Sequence, residues 1–161
     1  MSHTNKSKIC FSTWCTDDYA DRVGLKKLQN SLKYFHPNIP HFVYKTEDVE
    51  RAKNKYSDFP DLLQCMIPVQ PVERELYNEF DIIVHIDADS TVTGSLDDIF
   101  EGDFDIGGVR NNSDHGTAGC HPGESIRDPY MENVIEWQNF CNAGLVVVKN
   151  KKVWTDWFNA N

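Results

Sequence analysis

The 161-residue chain reads as a single α/β domain, residues 1–161, built on a mostly parallel sheet flanked by helices. Three observations predict that class. Strand-length apolar runs alternate with stretches of helical periodicity along the chain. One run, Ile82-Ile83-Val84-His85-Ile86, is apolar almost without interruption, the pattern of a central strand covered on both faces. It ends in Asp87-Ala88-Asp89, and in sheets of this kind ligands bind beyond the carboxyl ends of the strands.

Lys8 to Trp14, with Ile9, Cys10 and Phe11, predicts the first strand. Thr16-Asp17-Asp18 is a cluster of helix N-cap residues. Tyr19 to Phe35 then places Val23, Leu25, Leu28, Leu32 and Phe35 near helical spacing, and His36-Pro37-Asn38 ends that helix. His41 to Tyr44 is a short second strand. Thr46 to Tyr56 is polar and helix-compatible, and Phe59 to Pro68 is irregular because of its prolines. From Pro71, residues Val72, Leu76 and Phe80 repeat at every fourth position and predict an amphipathic helix.

Beyond the central run, Ser95 to Phe100 has the pattern of a short helix and Asp105 to Val109 that of a strand. Arg110 to Glu124, rich in Asn, Gly, His and Ser, predicts a long exposed loop. Pro129 to Trp137 is helical in pattern and Gly144 to Val148 is another apolar strand. Asn150 caps a last helix bearing Val153, Trp154, Trp157 and Phe158. No repeat, low-complexity segment or linker divides the chain.

The formal charge of −9 disfavours a nucleic-acid partner, which wants a basic face. Nucleotides stay open, because a metal and backbone N–H groups can neutralise phosphates. No apolar stretch reaches membrane-spanning length, and the polar start Met1 to Lys8 lacks the apolar core of a signal peptide. The five cysteines, Cys10, Cys15, Cys65, Cys120 and Cys141, are widely spaced without a Cys-x-x-Cys. Neither a zinc site nor a disulfide framework is expected, and a reducing, cytoplasmic setting fits.

Asp87 and Asp89 alternate with Ala88 and so leave the strand on one side. In the plainest reading they cap a turn, although two carboxylates brought together repel unless a cation relieves them. A second reading is a phosphohydrolase. Asp87-Ala88-Asp89-Ser90-Thr91 resembles the Asp-x-Asp-x-Thr motif of haloacid-dehalogenase-like phosphatases, whose first Asp is a nucleophile and second an acid/base. That family places the motif near its N-terminus and needs a lysine and an acidic pair far downstream; Asp97-Asp98 comes too soon. In the third reading Asp87 and Asp89 hold Mg²⁺ or Mn²⁺ against the two phosphates of a nucleotide sugar. The metal would then stabilise the leaving diphosphate as a Lewis acid.

Four segments resemble the GT-A glycosyltransferases, in particular family 8, which includes glycogenin and the bacterial lipopolysaccharide galactosyltransferases. They are Thr16-Asp17-Asp18-Tyr19-Ala20, Ser31-Leu32-Lys33 through His36-Pro37, Ile86-Asp87-Ala88-Asp89-Ser90 through Phe100, and Cys141-Asn142-Ala143-Gly144 through Val148. The resemblance implies a GT-A, Rossmann-like fold and transfer of a hexose, with retained configuration, from a nucleotide diphosphate sugar to a glycan or other hydroxyl acceptor. UDP-glucose or UDP-galactose is the implied donor. Asp87 and Asp89 become ligands of Mn²⁺ or Mg²⁺. Thr16, Asp17 and Tyr19 become contacts of the base, and Ala88 of the ribose. Asn142, Ala143 and Gly144 become contacts of the donor sugar, and Arg74, the nearest basic residue before the central strand, a further contact of the sugar or phosphates.

The departures from the family also set expectations. A hydroxyl, Thr16, stands where the family often has an acid. The family's later acidic motif, its metal-binding His and its phosphate Lys have no counterpart here, so the domain is expected to be C-terminally incomplete. Weak or no turnover is expected from this chain alone, no catalytic residue is assigned, and a non-catalytic nucleotide-sugar-binding remnant is the alternative. His115 and His121, in the loop after Val109, are the candidates to stand in for the third ligand, although exposed loop histidines are more often bystanders, and His85 is expected to pack beneath the site. The stretch from Arg110 to Arg127 is expected to border the acceptor. The aromatic last helix can pack on its own sheet or, alternatively, in a homodimer.

Overall fold

The computed structural model describes residues 7–15, 17, 23–55, 74–110 and 141–160. In chain order these form β1 (Ile9–Trp14), α1 (Val23–Phe35), β2 (His41–Tyr44), α2 (Thr46–Lys55), α3 (Leu76–Glu79), β3 (Ile82–Ile86), α4 (Asp97–Glu101), β4 (Ile106–Arg110), β5 (Cys141–Val148) and α5 (Lys151–Ala160). The predicted irregular stretch 59–68 and the predicted helix 129–137 lie outside the described residues.

The strands make one five-stranded sheet in the order β2-β1-β3-β5-β4. β1 pairs in parallel with β2 and β3, whereas β5 runs antiparallel to both β3 and β4. Four strands therefore share one direction and β5 opposes them. The expectation of a mostly parallel sheet holds for strand directions, but the strand containing Gly144 to Val148 is reversed. An apolar run is equally compatible with either direction, because its side chains alternate faces in both.

Central β3 is buried at every position, and the two faces of the sheet carry separate clusters. On one face Cys10, Ile83, Val146 and Val148 pack against Leu76 and Trp154. The last helix thus buries Trp154 on its own sheet. On the other face Phe11, Ile82, Val84, Ile86 and Val147 meet Leu28 and Leu32 of α1, with Val92, Leu96, Phe100 and Phe104 packed alongside. Among the described residues no helix is long and apolar enough to cross a membrane.

Two predicted helices are shorter than their patterns. Glu75 has φ 52° and ψ 31°, a left-handed conformation that a right-handed helix cannot pass through, so α3 is one turn beginning at Leu76. Ser95 stays outside α4, its hydroxyl accepting the Asp97 N–H at 3.1 Å. The Asn150 cap is present: its Oδ1 accepts the Lys152 N–H at 2.9 Å.

A hydrogen-bond chain runs from the start of β2 to the carboxyl ends of β1 and β3. The Thr13 hydroxyl donates to the Ile86 carbonyl at 2.8 Å, and His41 Nε2 lies 2.8 Å from that same hydroxyl. With the hydroxyl proton committed to Ile86, His41 Nε2 is the donor to Thr13 Oγ1. Burial lowers its pKa to about 4, against an ordinary value near 6.5. Between those values the unfolded chain takes up a proton that the folded chain refuses. Stability is therefore complete above about pH 6.5 and declines as pH falls toward 4, by up to about 3 kcal/mol. His41→Gln, which keeps a donor but does not titrate, is expected to flatten the loss of Tm between pH 7 and 4.5; equal slopes for the two proteins would refute this assignment.

Candidate functional site

At the end of β3 the chain turns sharply, the Ser90 N–H donating to the Asp87 carbonyl at 3.0 Å. Burial alternates through the turn. Asp87 and Asp89 are exposed, whereas Ala88 is only 7% exposed and packs with Cys15 and Leu25. Ala88 is the foot of the turn, and the two carboxylates stand clear of the sheet on either side of it. Asp87 has a side chain 51% exposed, and its Oδ1 lies 3.4 Å from Nε2 of His85. The expectation that His85 packs beneath the site is met, since it is 2% exposed.

The reversal of β5 decides what stands beside the turn. Ile86 is in register with Leu145, and the Asp87 N–H donates to the Gly144 carbonyl at 3.0 Å. Because β5 enters the sheet at this end, the backbone of Gly144, which follows Asn142 and Ala143 in the strand, lies beside Asp87. Two stretches distant in sequence thus form one edge. Asp17 is exposed beyond the end of β1, its N–H donating to Thr46 Oγ1 at 3.1 Å. Thr16, Tyr19, His115 and His121 lie outside the described residues, as does most of the stretch expected to border an acceptor.

Arg74 is not brought to the same place as Asn142, Ala143 and Gly144. Its Nη2 bonds Asp48 Oδ1 at 3.0 Å, and its guanidinium lies 4.3 Å from the centre of the Tyr44 ring. Tyr44 ends β2, two strands from β3 and so about 10 Å across the sheet, whereas β5 lies on the other flank of β3. Asp48, 5% exposed, also accepts the Lys45 N–H at 2.9 Å and Arg51 Nη2 at 2.5 Å. Burial alone would push its carboxyl up. The Lys45 N–H and the two guanidiniums outweigh that effect and hold it below the ordinary carboxylate range.

The chain beyond the turn is held from outside by α1. Ser31 Oγ accepts the Val92 N–H at 3.0 Å, and His36 Nε2 accepts the Leu96 N–H at 2.9 Å. Buried His36 stacks between Phe11 and Phe100, at ring separations of 5.6 and 5.7 Å. Against this fixed segment opens a cleft of about 390 Å³, lined by Ser90, Thr91, Thr93, Ser95 and Gly94, with Gly144 across from them. Ile86, Val92, Leu96 and Leu145 complete the lining, and among the described residues no charged side chain belongs to it. The supports Thr13, His41, Ser31 and His36 carry no signal in the sequence that marks them as such, because each acts through a backbone group remote along the chain.

Among the described residues no three His, Cys, Asp or Glu side chains come together as a metal-holding group. The donor set at the turn is two carboxylates, oxygen ligands suited to a hard cation. Burial raises the pKa of the Cys15 thiol, packed against Ala88; Lys45 lowers it in part and Asp17 raises it again.

A five-stranded mixed sheet, with its paired carboxylates at the end of the central strand and a reversed strand beside them, is the GT-A fold of the glycosyltransferases, as the motif resemblance anticipated. The bifunctional glycosyltransferase WbbM superposes with a TM-score of 0.54 at 18% identity, over 98% of this chain and 34% of its own. The glycosyltransferase GlyE of Streptococcus pneumoniae TIGR4 gives 0.55 at 16% identity, over 97% of this chain and 37% of its own. The galactosyltransferase LgtC, solved with donor and acceptor sugar analogues, gives 0.50 at 16% identity, over 93% and 65%. The chain thus spans about a third of the length of the first two. No family profile and no curated protein matches it by sequence.

The burial of Ala88 generates a prediction. Ala88→Leu forces three additional carbons against Cys15 and Leu25. It is expected to destabilise the domain by about 1–3 kcal/mol in urea denaturation, and unchanged stability would show that Ala88 is not the foot of the turn.

Proposed function

We propose that this chain transfers a hexose from a nucleotide diphosphate sugar, UDP-glucose or UDP-galactose, to the hydroxyl of a glycan or other acceptor. The observation that carries the reading is the 3.0 Å bond from the Asp87 N–H to the Gly144 carbonyl. It brings Asp87 of the carboxylate pair beside Gly144, which supports a reading in which a cation-held diphosphate at one and a sugar at the other belong to one ligand.

Asp87 and Asp89 hold Mn²⁺ or Mg²⁺, which when bound supplies Lewis-acid stabilisation to the leaving diphosphate. Asp17, with Thr16 and Tyr19, receives the base. The Ala88 backbone meets the ribose. Asn142, Ala143 and Gly144 bind the sugar hydroxyls through a strand edge that β3 holds in place. Arg74 stands on the nucleoside side of this arrangement, anchored by Asp48. The uncharged, hydroxyl-rich cleft between residues 90–96 and Gly144 suits a sugar ring rather than an ionic group.

A thermal-shift titration tests the donor site. UDP with Mn²⁺ is expected to raise Tm by several degrees, the effect needing both components and disappearing in Asp87→Ala/Asp89→Ala. A shift absent with every nucleotide would sink the donor-site reading. Release of UDP from UDP-glucose or UDP-galactose then separates an enzyme from a non-catalytic binder, and release of phosphate from a simple monoester would favour a phosphohydrolase instead.

The cleft has its own probe. A Cβ at Gly94 would meet no atom within 4 Å, so Gly94→Trp fills the cleft without a backbone clash. The variant is expected to keep its fold and its UDP/Mn²⁺ shift but to lose tenfold or more in transfer to acceptor; unimpaired transfer would remove the cleft from the proposal.

A further inference from the structure

We infer that His85 is a positioning residue for Asp87, donating from Nε2 to hold one carboxylate oxygen so that the other faces the cation. The inference rests on the nucleotide-sugar reading and adds to it a residue that sets the metal affinity of the site.

His85 is the one polar side chain in the run Ile82–Ile86, and it is 2% exposed in the central strand. An apolar residue there would simply extend the packing of Ile83 and Val146. Burying a polar ring instead costs about 1–3 kcal/mol unless a partner offsets it. Residues i and i+2 of a strand share a face, which places His85 directly beneath Asp87. The 3.4 Å approach of Nε2 to Asp87 Oδ1 is the polar contact its side chain makes among the described residues. Nδ1 is buried and has no hydrogen-bond partner among them. A neutral imidazole has one donor and one acceptor nitrogen, so the engaged nitrogen facing a carboxylate carries the hydrogen. Donation to Asp87 as proposed corresponds to the Nε2–H tautomer, in which the buried, unpartnered Nδ1 carries no hydrogen.

The chemical consequence concerns Asp87. A carboxylate half in solvent samples several rotamers, and a cation must select one of them. A buried donor under Oδ1 makes that selection in advance and directs Oδ2 outward. Partners that orient a metal ligand in this way change affinity by about 10–100-fold when removed.

The amide nitrogen of Gln reaches the Nε2 position, that of Asn falls nearer Nδ1, and Leu fills the volume without a donor. Mn²⁺ binding is measured in saturating UDP by electron paramagnetic resonance of the free ion, with the Tm of the unliganded proteins as the check on folding. Affinity is expected to fall about 10–100-fold in H85L and H85N and to return close to wild type in H85Q. Equal affinity in all three, or H85Q as weak as H85L, overturns the role of His85. Wild-type protein that binds no Mn²⁺ with UDP overturns the nucleotide-sugar reading and this inference with it, so the two failures are distinct. Should the variants not fold, long-range ¹⁵N–¹H spectra of the His85 ring in wild type decide the matter. An Nε2–H tautomer supports the inference and an Nδ1–H tautomer overturns it.

Discussion

The antiparallel pairing of β3 with β5 is the constraint on which the candidate site depends. Four strands run in one direction and present their carboxyl ends to one edge of the sheet. A fifth strand in that same direction would also end there. β5 instead begins there, so Gly144, near its start, arrives beside the turn that closes β3. The ladder extends one step past the strand, through the Asp87 N–H and the Gly144 carbonyl, and so fixes the backbone of the turn at the first of its carboxylates. A backbone bond there is insensitive to side-chain motion, which makes it a suitable fixed point for a pair of exposed acids.

The carboxylates face water, yet what lies beneath them is buried. Ala88 is lodged against Cys15 and Leu25, His85 is packed within the sheet, and Thr13 and His41 tie the Ile86 carbonyl across three strands. On the far side Ser31 of α1 and His36, just after it, take up backbone N–H groups of the segment that follows. Polar groups buried in this way would be costly if unpaired. Thr13, His41, Ser31 and His36 are paired, and they stiffen the backbone from which Asp87 and Asp89 project. Preorganisation of this kind matters because a ligand that finds its contacts in place loses less free energy to ordering them.

Arg74 illustrates how a basic residue near a site can serve the scaffold first. Its stacking on Tyr44 and its bond to Asp48 join the end of β2, the start of α2 and the strained Glu75 that opens α3. The cluster lies on the flank of the sheet away from β5. At 16–18% identity the likeness to WbbM, GlyE and LgtC concerns this scaffold, the GT-A fold, and not the choice of donor or acceptor.

Much of this was legible in the residues alone. The strand runs and the helices of α1, α2 and α5 follow from local periodicity, as does the alternation that exposes Asp87 and Asp89 while burying Ala88. Such patterns depend only on neighbours a few positions away. The shortening of α3 was not legible, because the left-handed Glu75 leaves no mark on the repeat of Leu76 and Phe80. Nor was the direction of β5, since an apolar run reads the same either way, nor the partner of Arg74, nor the His85 contact under Asp87. Sequence by itself determined that two carboxylates end a buried central strand and that an Asn-Ala-Gly segment opens another. Only the tertiary structure decided that these two ends meet, because strand order and direction are set by long-range backbone pairing that no local pattern encodes.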